Sequence, residues 1–327
     1  MEQSVLGIDV SKDTLDAVLL EDDRKFHQVF KNNQTGFAQL TNWLVRLGKT
    51  NIHACMEATG QYGDGIAEYL YDRGFQVSVV NPYRIKCYGQ SKLHRNKTDK
   101  ADAILIAQFC SREETYLWKP LSAHVRQLRE LVRRLSNLQV MHGQESNRLH
   151  SGTRNQEVLN SIRKFLAFLS NEISEVKQAM QNLVNADPEL KHQQDLLVSI
   201  PGIGRLTAHR LIAEIGDISR FEDAPQLAAY AGLNPKNFRS GSSVNRKPRI
   251  SKEGNPFLRF LLYMPALVAM KHNPIIRSTC DRLGPRLKHP MELVVAAMRK
   301  LLHLAYGVLK HQRPFDPNYL LNPSPTS

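Results

Sequence analysis

The stretch VLGIDVSKDTLDAVLLEDDRKFHQVF, residues 5–30, decides how the N-terminal part of this chain folds. It contains three apolar runs, Val5–Val10, Thr14–Leu20 and Lys25–Phe30, separated by polar or acidic turns. Short runs rich in β-branched and aromatic side chains are typical of strands. Because the links between the runs are so short, we predict an antiparallel meander.

Helical and extended patterns alternate after this meander. Helical spacing predicts a helix at 37–47, which ends before Gly48. The chain then predicts a strand at 52–56, a helix at 66–73, a strand at 75–80 and a helix through 101–110, with Thr98 as its N-cap. The resulting order βββαβαβα is that of the ribonuclease H fold, so we predict an α/β N-terminal domain.

The middle of the chain has a different, purely helical pattern. Seven apolar residues alternate in steps of four and three: Ile162, Leu166, Leu169, Ile173, Val176, Met180 and Leu183. This seam is typical of a coiled coil. An upstream helix with Val125, Leu128, Val132 and Leu135 offers an antiparallel partner or a second contact surface. An intramolecular helical hairpin and a dimer contact are both open.

A third, mostly helical region follows Asp187-Pro188, and a polar segment at 234–252 interrupts it. The turn SIPGIG at 199–204 separates two helical stretches, Leu196–Ser199 and Leu206–Ile215. It resembles a helix-hairpin-helix, in which Gly202 and Gly204 would let backbone N–H groups approach a phosphate. A structural tight turn between packed helices is the alternative.

Charge and cysteine content narrow the class of protein. The formal charge is +13, and residues 231–313 alone carry 16 Lys/Arg against 3 Asp/Glu. This excess favours a surface that meets a polyanion, although a merely soluble basic face is possible. The four cysteines show no zinc spacing and indicate reduced thiols in the cytoplasm. No apolar run is long enough to span a membrane, since the longest is 260–270.

Four carboxylates stand where a catalytic site is expected. Asp9 follows an apolar strand, Glu57 ends another, and Asp99 and Asp102 share one face at a helix start. Acidic side chains over a core are costly unless a cation lies between them, and such hard oxygen ligands select Mg²⁺ or Mn²⁺. As alternatives, Asp99 could stabilise its helix through a favourable interaction with the helix dipole at the N-terminus, and Asp9 could shape the turn at residues 11–13. Asp13 and Asp16 are competitors, the first in a turn and the second predicted to face outward on an edge strand.

These residues lie in segments that resemble the DEDD transposases of the insertion-sequence one-ten family, which includes the Piv-type DNA invertases. The N-terminal blocks are GIDVSK at 7–12, EATGQY at 57–62 and NKTDKADA at 96–103. The C-terminal blocks are IPGIG at 200–204, AGLNP at 231–235 and SGSS at 240–243. The match covers nearly the whole chain in order, without a departure at any motif position.

The resemblance implies a site, a mechanism and a domain plan. A RuvC-like domain at 1–118 would hold Mg²⁺ or Mn²⁺ on Asp9, Glu57, Asp99 and Asp102. A helical coiled-coil connector at 119–186 would follow, then a transposase domain at 187–313 and a disordered tail at 314–327. Ser240 would attack the scissile phosphate and form a covalent serine–DNA intermediate, with Ser242 and Ser243 as local rivals. Basic residues near it would bind phosphate: Arg239, Arg246, Lys247 and Arg249.

The resemblance also implies partners and a location. Donor and target DNA are expected, with a bridge RNA that pairs with both, unless this chain is an invertase that works without one. A homodimer or a tetramer built from dimers is expected, in a cytoplasmic, nucleoid-associated setting in a bacterium, away from membranes. A hydrolytic Holliday-junction resolvase and a non-catalytic DNA-binding protein remain alternatives, and an actin-like sugar kinase is disfavoured because no second phosphate loop is found.

Overall fold

A computed structural model describes residues 4–21, 24–49, 51–58, 60–92, 98–240, 244–287 and 289–318. The chain divides into two compact units, Met1–Pro120 and Leu121–Ser327, which we call unit 1 and unit 2. The finer division expected at residues 118, 186 and 313 stays a prediction.

Unit 1 is a mixed α/β unit. Its strands are β1 (Ser4–Val10), β2 (Thr14–Glu21), β3 (Arg24–Lys31), β4 (Ile52–Glu57) and β5 (Gln76–Val80). Its helices are α1 (Gln34–Arg46), α2 (Gln61–Tyr71), α3 (Pro82–Ser91) and α4 (Asp99–Arg112). The elements predicted from sequence are confirmed, with α3 as an addition. The Asn81 side chain caps α3 by accepting a hydrogen bond from Tyr83 N, and Pro82 lies in the first turn of the helix. From the sequence, Asn81-Pro82 was interpreted only as the end of the preceding strand.

The five strands form one sheet in the order β3-β2-β1-β4-β5. The first three strands are antiparallel, as predicted, while β4 runs parallel to β1 and β5 parallel to β4. This is the strand arrangement of the ribonuclease H fold. β1 lies at the centre and is buried on both faces, with Leu6 and Ile8 fully covered. Its C-terminal end is therefore held rigidly inside the sheet.

Unit 2 contains eight α-helices and two strands in its described residues. The helices are α5 (Ala123–Leu149), α6 (Gln156–Ala186), α7 (Pro188–Val198), α8 (Arg205–Ile215), α9 (Ala224–Tyr230), α10 (Pro256–His272), α11 (Pro274–Leu283) and α12 (Pro290–His311). The strands are β6 (Pro235–Ser240) and β7 (Val244–Ile250). One apolar cluster joins α5 and α6 to the helices that follow. Among the described helices, none is long and apolar enough to cross a membrane.

The two long helices α5 and α6 form an antiparallel hairpin within the chain. They pack against each other, and Arg134 on α5 lies 3.9 Å from Glu172 on α6. In the predicted seam, Leu169 and Met180 are buried, while the other five members are only partly covered. The intramolecular alternative is thus present in the structure, and a coiled coil between chains stays a prediction.

The polar segment at 234–252 differs from the sequence prediction. The sequence predicted a polar interruption of the helical region without assigning strands to it, whereas β6 and β7 pair as an antiparallel two-stranded sheet, with an irregularity between Lys236 and Phe238. Its sequences, PKNFRS and VNRKPRI, lack the alternation of apolar and polar residues that marks a half-buried strand. The start of the predicted disordered tail is also anchored, because Phe315 N donates to Ser199 Oγ at 2.8 Å. Residues 319–327 of that tail lie outside the described residues.

Candidate active site

The ends of the two central parallel strands bring Asp9 and Glu57 together. Ile8 pairs with Met56 in the register of β1 and β4, so Asp9 and Glu57 are the next residues on neighbouring strands. Ile8 and Met56 are fully buried, which fixes the backbone directly before each acid. Both carboxylates are partly buried. The two strand-borne acids are therefore positioned by the core.

Helix α4 brings Asp99 and Asp102 towards the same strand. Thr98 is its N-cap, as predicted, and its Oγ1 accepts from Ala101 N at 3.2 Å. A Cβ atom on Gly7 would lie 2.3 Å from Ala103 O, so α4 crosses β1 in direct backbone contact. Side chains alternate along a strand, which puts Asp9 on the face that Gly7 presents to α4. Only glycine at position 7 permits this approach.

The far end of α4 is tied to the sheet by a thiol–imidazole network. Cys110 Sγ lies 3.5 Å from His53 Nδ1, and the other imidazole nitrogen, Nε2, lies 2.8 Å from Ser78 Oγ. Hydrogen bonding from Cys55 is the main cause that lowers the pKa of Cys110 to about 6. Contacts at both ends of α4 thus hold the helix that carries Asp99 and Asp102. From the sequence, these cysteines were predicted only to be reduced thiols.

The carboxylate of Asp9 is affected by the charges of the other three predicted acids. The pKa of Asp9 is raised from 3.8 to about 6, first by burial and then by the charges of Asp102, Asp99, Glu57 and Asp16. Each of these acids is thus close enough to disfavour the ionised form of Asp9. Burial and neighbouring negative charge thus both favour the protonated form of Asp9.

Asp16 is the acid whose position the sequence reading predicted wrongly. It was expected to face outward on an edge strand. In the structure β3 pairs with β2 and forms the edge of the sheet instead, and Asp16 is only 8% exposed. It pairs with Asp9 in the register of β1 and β2, and its Oδ1 lies 2.9 Å from His27 Nε2. Asp13 is exposed in the turn before β2, as predicted. Asp16 thus lies beside Asp9 with His27 as its partner, and the carboxylate set assigned from sequence stays a prediction.

The donor set fits a hard divalent cation. Carboxylate oxygens are the ligands that Mg²⁺ and Mn²⁺ prefer, and a cation would relieve the repulsion that raises the pKa of Asp9. In the part of the chain that the structure describes, no three His, Cys, Asp or Glu side chains already stand close enough to hold a metal ion.

The predicted nucleophile lies at the end of a hairpin in unit 2. Ser240 is the last residue of β6 and pairs with Val244 on β7. Two of the basic residues assigned to phosphate are also paired in this register, Arg239 with Asn245 and Arg246 with Phe238, and Arg249 is exposed. Lys247 lies on β7 as well. The rivals Ser242 and Ser243 lie outside the described residues.

The two glycines of the predicted helix-hairpin-helix differ in their surroundings. Gly202 has φ 109°, and a Cβ there would lie 2.6 Å from the Cβ of Ala269 on α10. Packing therefore requires this glycine whether or not a phosphate binds. Gly204 precedes α8 and has no described neighbour within 4 Å of an added Cβ. The two flanking helices are confirmed, while phosphate binding by the turn stays a prediction.

A ribonuclease H sheet with acids at the ends of its central strands is the framework of DNA-processing enzymes, and comparisons with known proteins specify the kind. A DEDD transposase model of the IS110 type matches residues 6–155. A second model, described as Transposase IS116/IS110/IS902 family, matches residues 194–281. The chain belongs to this family of transposases and DNA invertases.

Both inverting proteins and a transposase match this chain along most of its length. The pilin gene-inverting proteins of Moraxella bovis and Moraxella lacunata are each 33% identical over 323 residues, covering 97% of this chain and 98% of theirs. The transposase for insertion sequence element IS1111A of Coxiella burnetii is 25% identical over 351 residues, covering 95% and 91%. Among solved structures, T. thermophilus RuvC in complex with a Holliday junction substrate matches with a TM-score of 0.29 and 13% identity, covering 36% of this chain and 100% of that one. The fold assignment rests on the strand order instead.

Proposed function

We propose that this protein is a DNA recombinase that cuts and rejoins strands through metal-assisted serine chemistry. The observation that carries the proposal is geometric: Asp9 and Glu57 end neighbouring buried strands, and α4, which carries Asp99 and Asp102, crosses β1 in backbone contact at Gly7. Burial and the charges of these acids raise the pKa of Asp9, in keeping with that arrangement. Membership of a transposase and invertase family says that the substrate is DNA. Clusters of acids with a perturbed pKa are typical of functional sites, which supports a catalytic role for these residues.

Asp9, Glu57, Asp99 and Asp102 would hold the divalent cation, Mg²⁺ or Mn²⁺. When bound there, the cation supplies polarisation of the scissile phosphate and neutralises charge in the transition state. The chain's own contribution is positioning. The core-buried strand ends fix two of the acids, and the close contact of Gly7 with α4 fixes the other two.

Ser240 is proposed as the nucleophile. Its Oγ forms a bond to phosphorus and loses its proton, while the bond from phosphorus to O3′ breaks and O3′ takes up a proton. The product is a 5′-phosphoserine and a free 3′-hydroxyl, which attacks the phosphoserine of the exchanged strand and releases the serine. Arg239, Arg246, Lys247 and Arg249 are proposed to bind the phosphates around it. Support comes from the position of Ser240 within the family match and within the basic segment 231–313.

Nucleic-acid partners and assembly complete the proposal. Donor and target DNA would bind along the basic segment, and a bridge RNA would read sequence by base pairing while the protein holds the backbone. A homodimer or tetramer would bring the serine of one chain to the acids of another. The hairpin of α5 and α6 keeps Phe165 and Phe168 exposed, at 38% and 55%, which leaves apolar surface for such a contact.

The decisive experiment looks for the covalent intermediate. Purified protein, Mg²⁺, a DNA substrate and its RNA are mixed, and denaturing electrophoresis separates the protein–DNA adduct. The wild type should form an adduct that Ser240→Ala abolishes, whereas Ser242→Ala and Ser243→Ala should retain it. Adduct formation by Ser240→Ala would reject this serine, and cutting without any adduct would favour a hydrolytic resolvase.

Inversion of a DNA segment is the second candidate for the biological outcome. It is favoured by two full-length relatives that are named as inverting proteins. A plasmid with the candidate segment between its recombination sites, analysed by restriction mapping, separates the outcomes. Inverted product without added RNA would support an invertase, and integration into a target plasmid that depends on RNA would support a transposase.

A further inference from the structure

The end of the sheet that carries Asp9 and Glu57 also carries an exposed cation and an exposed aromatic ring. Lys12 lies in the turn after β1, three residues beyond Asp9, and its side chain is exposed. Tyr62 lies in the first turn of α2, five residues beyond Glu57, and is 51% exposed. Because β1 and β4 are parallel, the segments that follow them leave the sheet at the same end. The carboxylate site therefore has two neighbours that metal binding does not use.

One side chain, Asn32, ties these two segments together. Its Nδ2 donates to Ser11 O at 2.8 Å and to Tyr62 O at 3.1 Å, since one amide group carries two hydrogens. The backbone N of Asn32 donates to Asp13 O at 2.9 Å. The backbone on both sides of Lys12 is thus fixed relative to the backbone of Tyr62.

Tyr62 and the acids lie at the same end of the sheet but belong to its two opposite faces. Helix α2 packs on the face of Ile8, whereas α4 packs on the face of Cys55, which Glu57 shares because side chains alternate along a strand. A strand of nucleic acid with a phosphate at the acids would reach Tyr62 by crossing the end of the sheet. Packed layers lie about 10 Å apart and stacked nucleotides rise about 3.4 Å each, so the ring is within about three nucleotides of that phosphate.

Lys12 and Tyr62 offer the kinds of attraction that the acids lack. Carboxylates repel phosphates, so a strand at this end of the sheet needs other contacts. An aromatic ring stacks on any base, because every base has a π face, and single-strand binding sites combine such rings with cations that hold the backbone. The structure provides one of each on a common framework.

We propose that Tyr62 stacks on an unpaired base within about three nucleotides of the phosphate at the carboxylate site, and that Lys12 binds a backbone phosphate of the same strand. The base must be unpaired and unstacked, since the faces of bases inside a duplex are covered by their neighbours. The inference rests on the proposed function, because it takes DNA to be the strand at the acids. Tyr62 is thus assigned as a substrate-binding residue beside the four acids and Ser240.

The first test measures stacking without catalysis. The full-length protein is titrated in EDTA with a fluorescently labelled thymidine twelve-mer and with a twelve-mer of abasic nucleotides, and anisotropy reports binding. Tyr62→Ala should weaken thymidine-oligomer binding by about tenfold and leave abasic-oligomer binding unchanged, whereas Tyr62→Phe should bind as the wild type does. The control is Tyr71→Ala, at the other end of α2 and roughly 14 Å along its axis, which should change neither affinity.

The second test separates the cation from the ring. Lys12→Gln should weaken binding of both oligomers equally and reduce the slope of log affinity against log salt by about 0.7, the value of one phosphate contact on a single strand. Lys25→Gln is the matched control, because Lys25 pairs with Leu20 and Leu20 with Val5, at the opposite end of β1 from Asp9. Lys25 is also exposed, and its replacement should leave the salt slope unchanged.

The third test places the base relative to the cut. 2-Aminopurine, whose fluorescence is quenched by stacking, replaces one base at a time in the DNA substrate of the adduct experiment, and EDTA prevents cleavage. Tyr62→Ala should relieve quenching only at positions within about three nucleotides of the phosphate that is cut in Mg²⁺. Asn32→Ala, with the ring still present, should relieve quenching at the same positions, because the tie that positions Tyr62 is lost.

Three results would overturn the proposal. They are equal thymidine-oligomer binding by Tyr62→Ala and the wild type, failure of Tyr62→Phe to bind as the wild type does, and relief of quenching only at distant positions. The oligomer titrations need no cleavage, so a negative result there leaves the recombinase proposal standing. Conversely, an adduct formed by Ser240→Ala would reject the nucleophile and leave the stacking result unaffected.

Discussion

The carboxylate site of unit 1 and the serine hairpin of unit 2 are held in place by different forces. Asp9 and Glu57 follow fully buried residues of a five-stranded sheet. Ser240 ends a two-stranded sheet whose base is held by polar contacts, such as Ser251 Oγ donating to Asn234 Oδ1 at 2.8 Å. The core of the sheet thus positions Asp9 and Glu57 within unit 1. At the base of the serine hairpin, the described side chains of Asn234 and Ser251 are joined by a hydrogen bond instead.

The largest expected effect tests whether the carboxylate site of unit 1 is catalytic. Asp9→Asn should lower strand cleavage by roughly 10³-fold or more, since it removes the central ligand from the acid cluster. Thermal unfolding with and without Mg²⁺ gives a second readout, because the ion should raise the melting temperature of the wild type but not of the variant. Asp13→Asn, in the exposed turn, is the control and should behave as the wild type. Unimpaired cleavage by Asp9→Asn would remove the acids from the mechanism.

The next effect tests the packing that positions α4. Gly7→Ala should lower the free energy of unfolding by about 3 kcal/mol, because its Cβ would meet Ala103 O at 2.3 Å and Ala107 N at 2.4 Å. Gly65→Ala, in helix α2, has only ordinary contact with Phe37 at 3.6 Å and should be neutral or slightly stabilising. Urea denaturation measures both. Equal stabilities would show that α4 does not touch β1 as closely as described.

A pH effect sharpens the comparison further. Asp9 binds its proton more tightly in the folded protein, where its pKa is about 6, than unfolded, where it is about 3.8. The stabilisation by protonation is therefore complete below about pH 3.8 and is lost as the pH rises through 6. In EDTA, the wild type should lose about 1–2 kcal/mol over this range relative to Asp9→Asn, less than the full shift implies because solvent screens the partly buried carboxylate. Parallel urea titrations of the two proteins at pH 4 and pH 6.5 give the difference, and a constant gap would contradict the assigned repulsion.

The smallest effect concerns the turn in unit 2. Gly202→Ala should cost about 2 kcal/mol in stability, since φ is 109° and Ala269 lies against the new methyl group. Gly204→Ala should leave stability nearly unchanged. If the turn also binds phosphate, Gly204→Ala should weaken duplex DNA binding in a filter or anisotropy assay. A stable Gly202→Ala protein would mean that α10 does not press on this turn.

The periodicity of apolar residues predicted secondary structure correctly where one face of an element is buried. The strands and helices of unit 1 were predicted because one buried face repeats every second or every third to fourth residue. The same reasoning missed α3, because its start signal at Asn81-Pro82 resembled the end of a strand. It also missed β6 and β7, because their sequences lack regular apolar alternation. The position of Asp16 was also predicted wrongly, because spacing along the chain does not reveal that β3 pairs with β2 at the edge of the sheet.

The sequence by itself determined the fold class, the positions of the four acids on their elements and the family resemblance, since these depend on local patterns and motif order. Only the tertiary structure decided that α4 crosses β1 at Gly7, that Asp16 engages His27 and that α5 and α6 pack together within the chain. Each of these depends on residues far apart in the chain meeting in space, and the cost or gain of such a meeting is set by packing and desolvation, which no local pattern encodes.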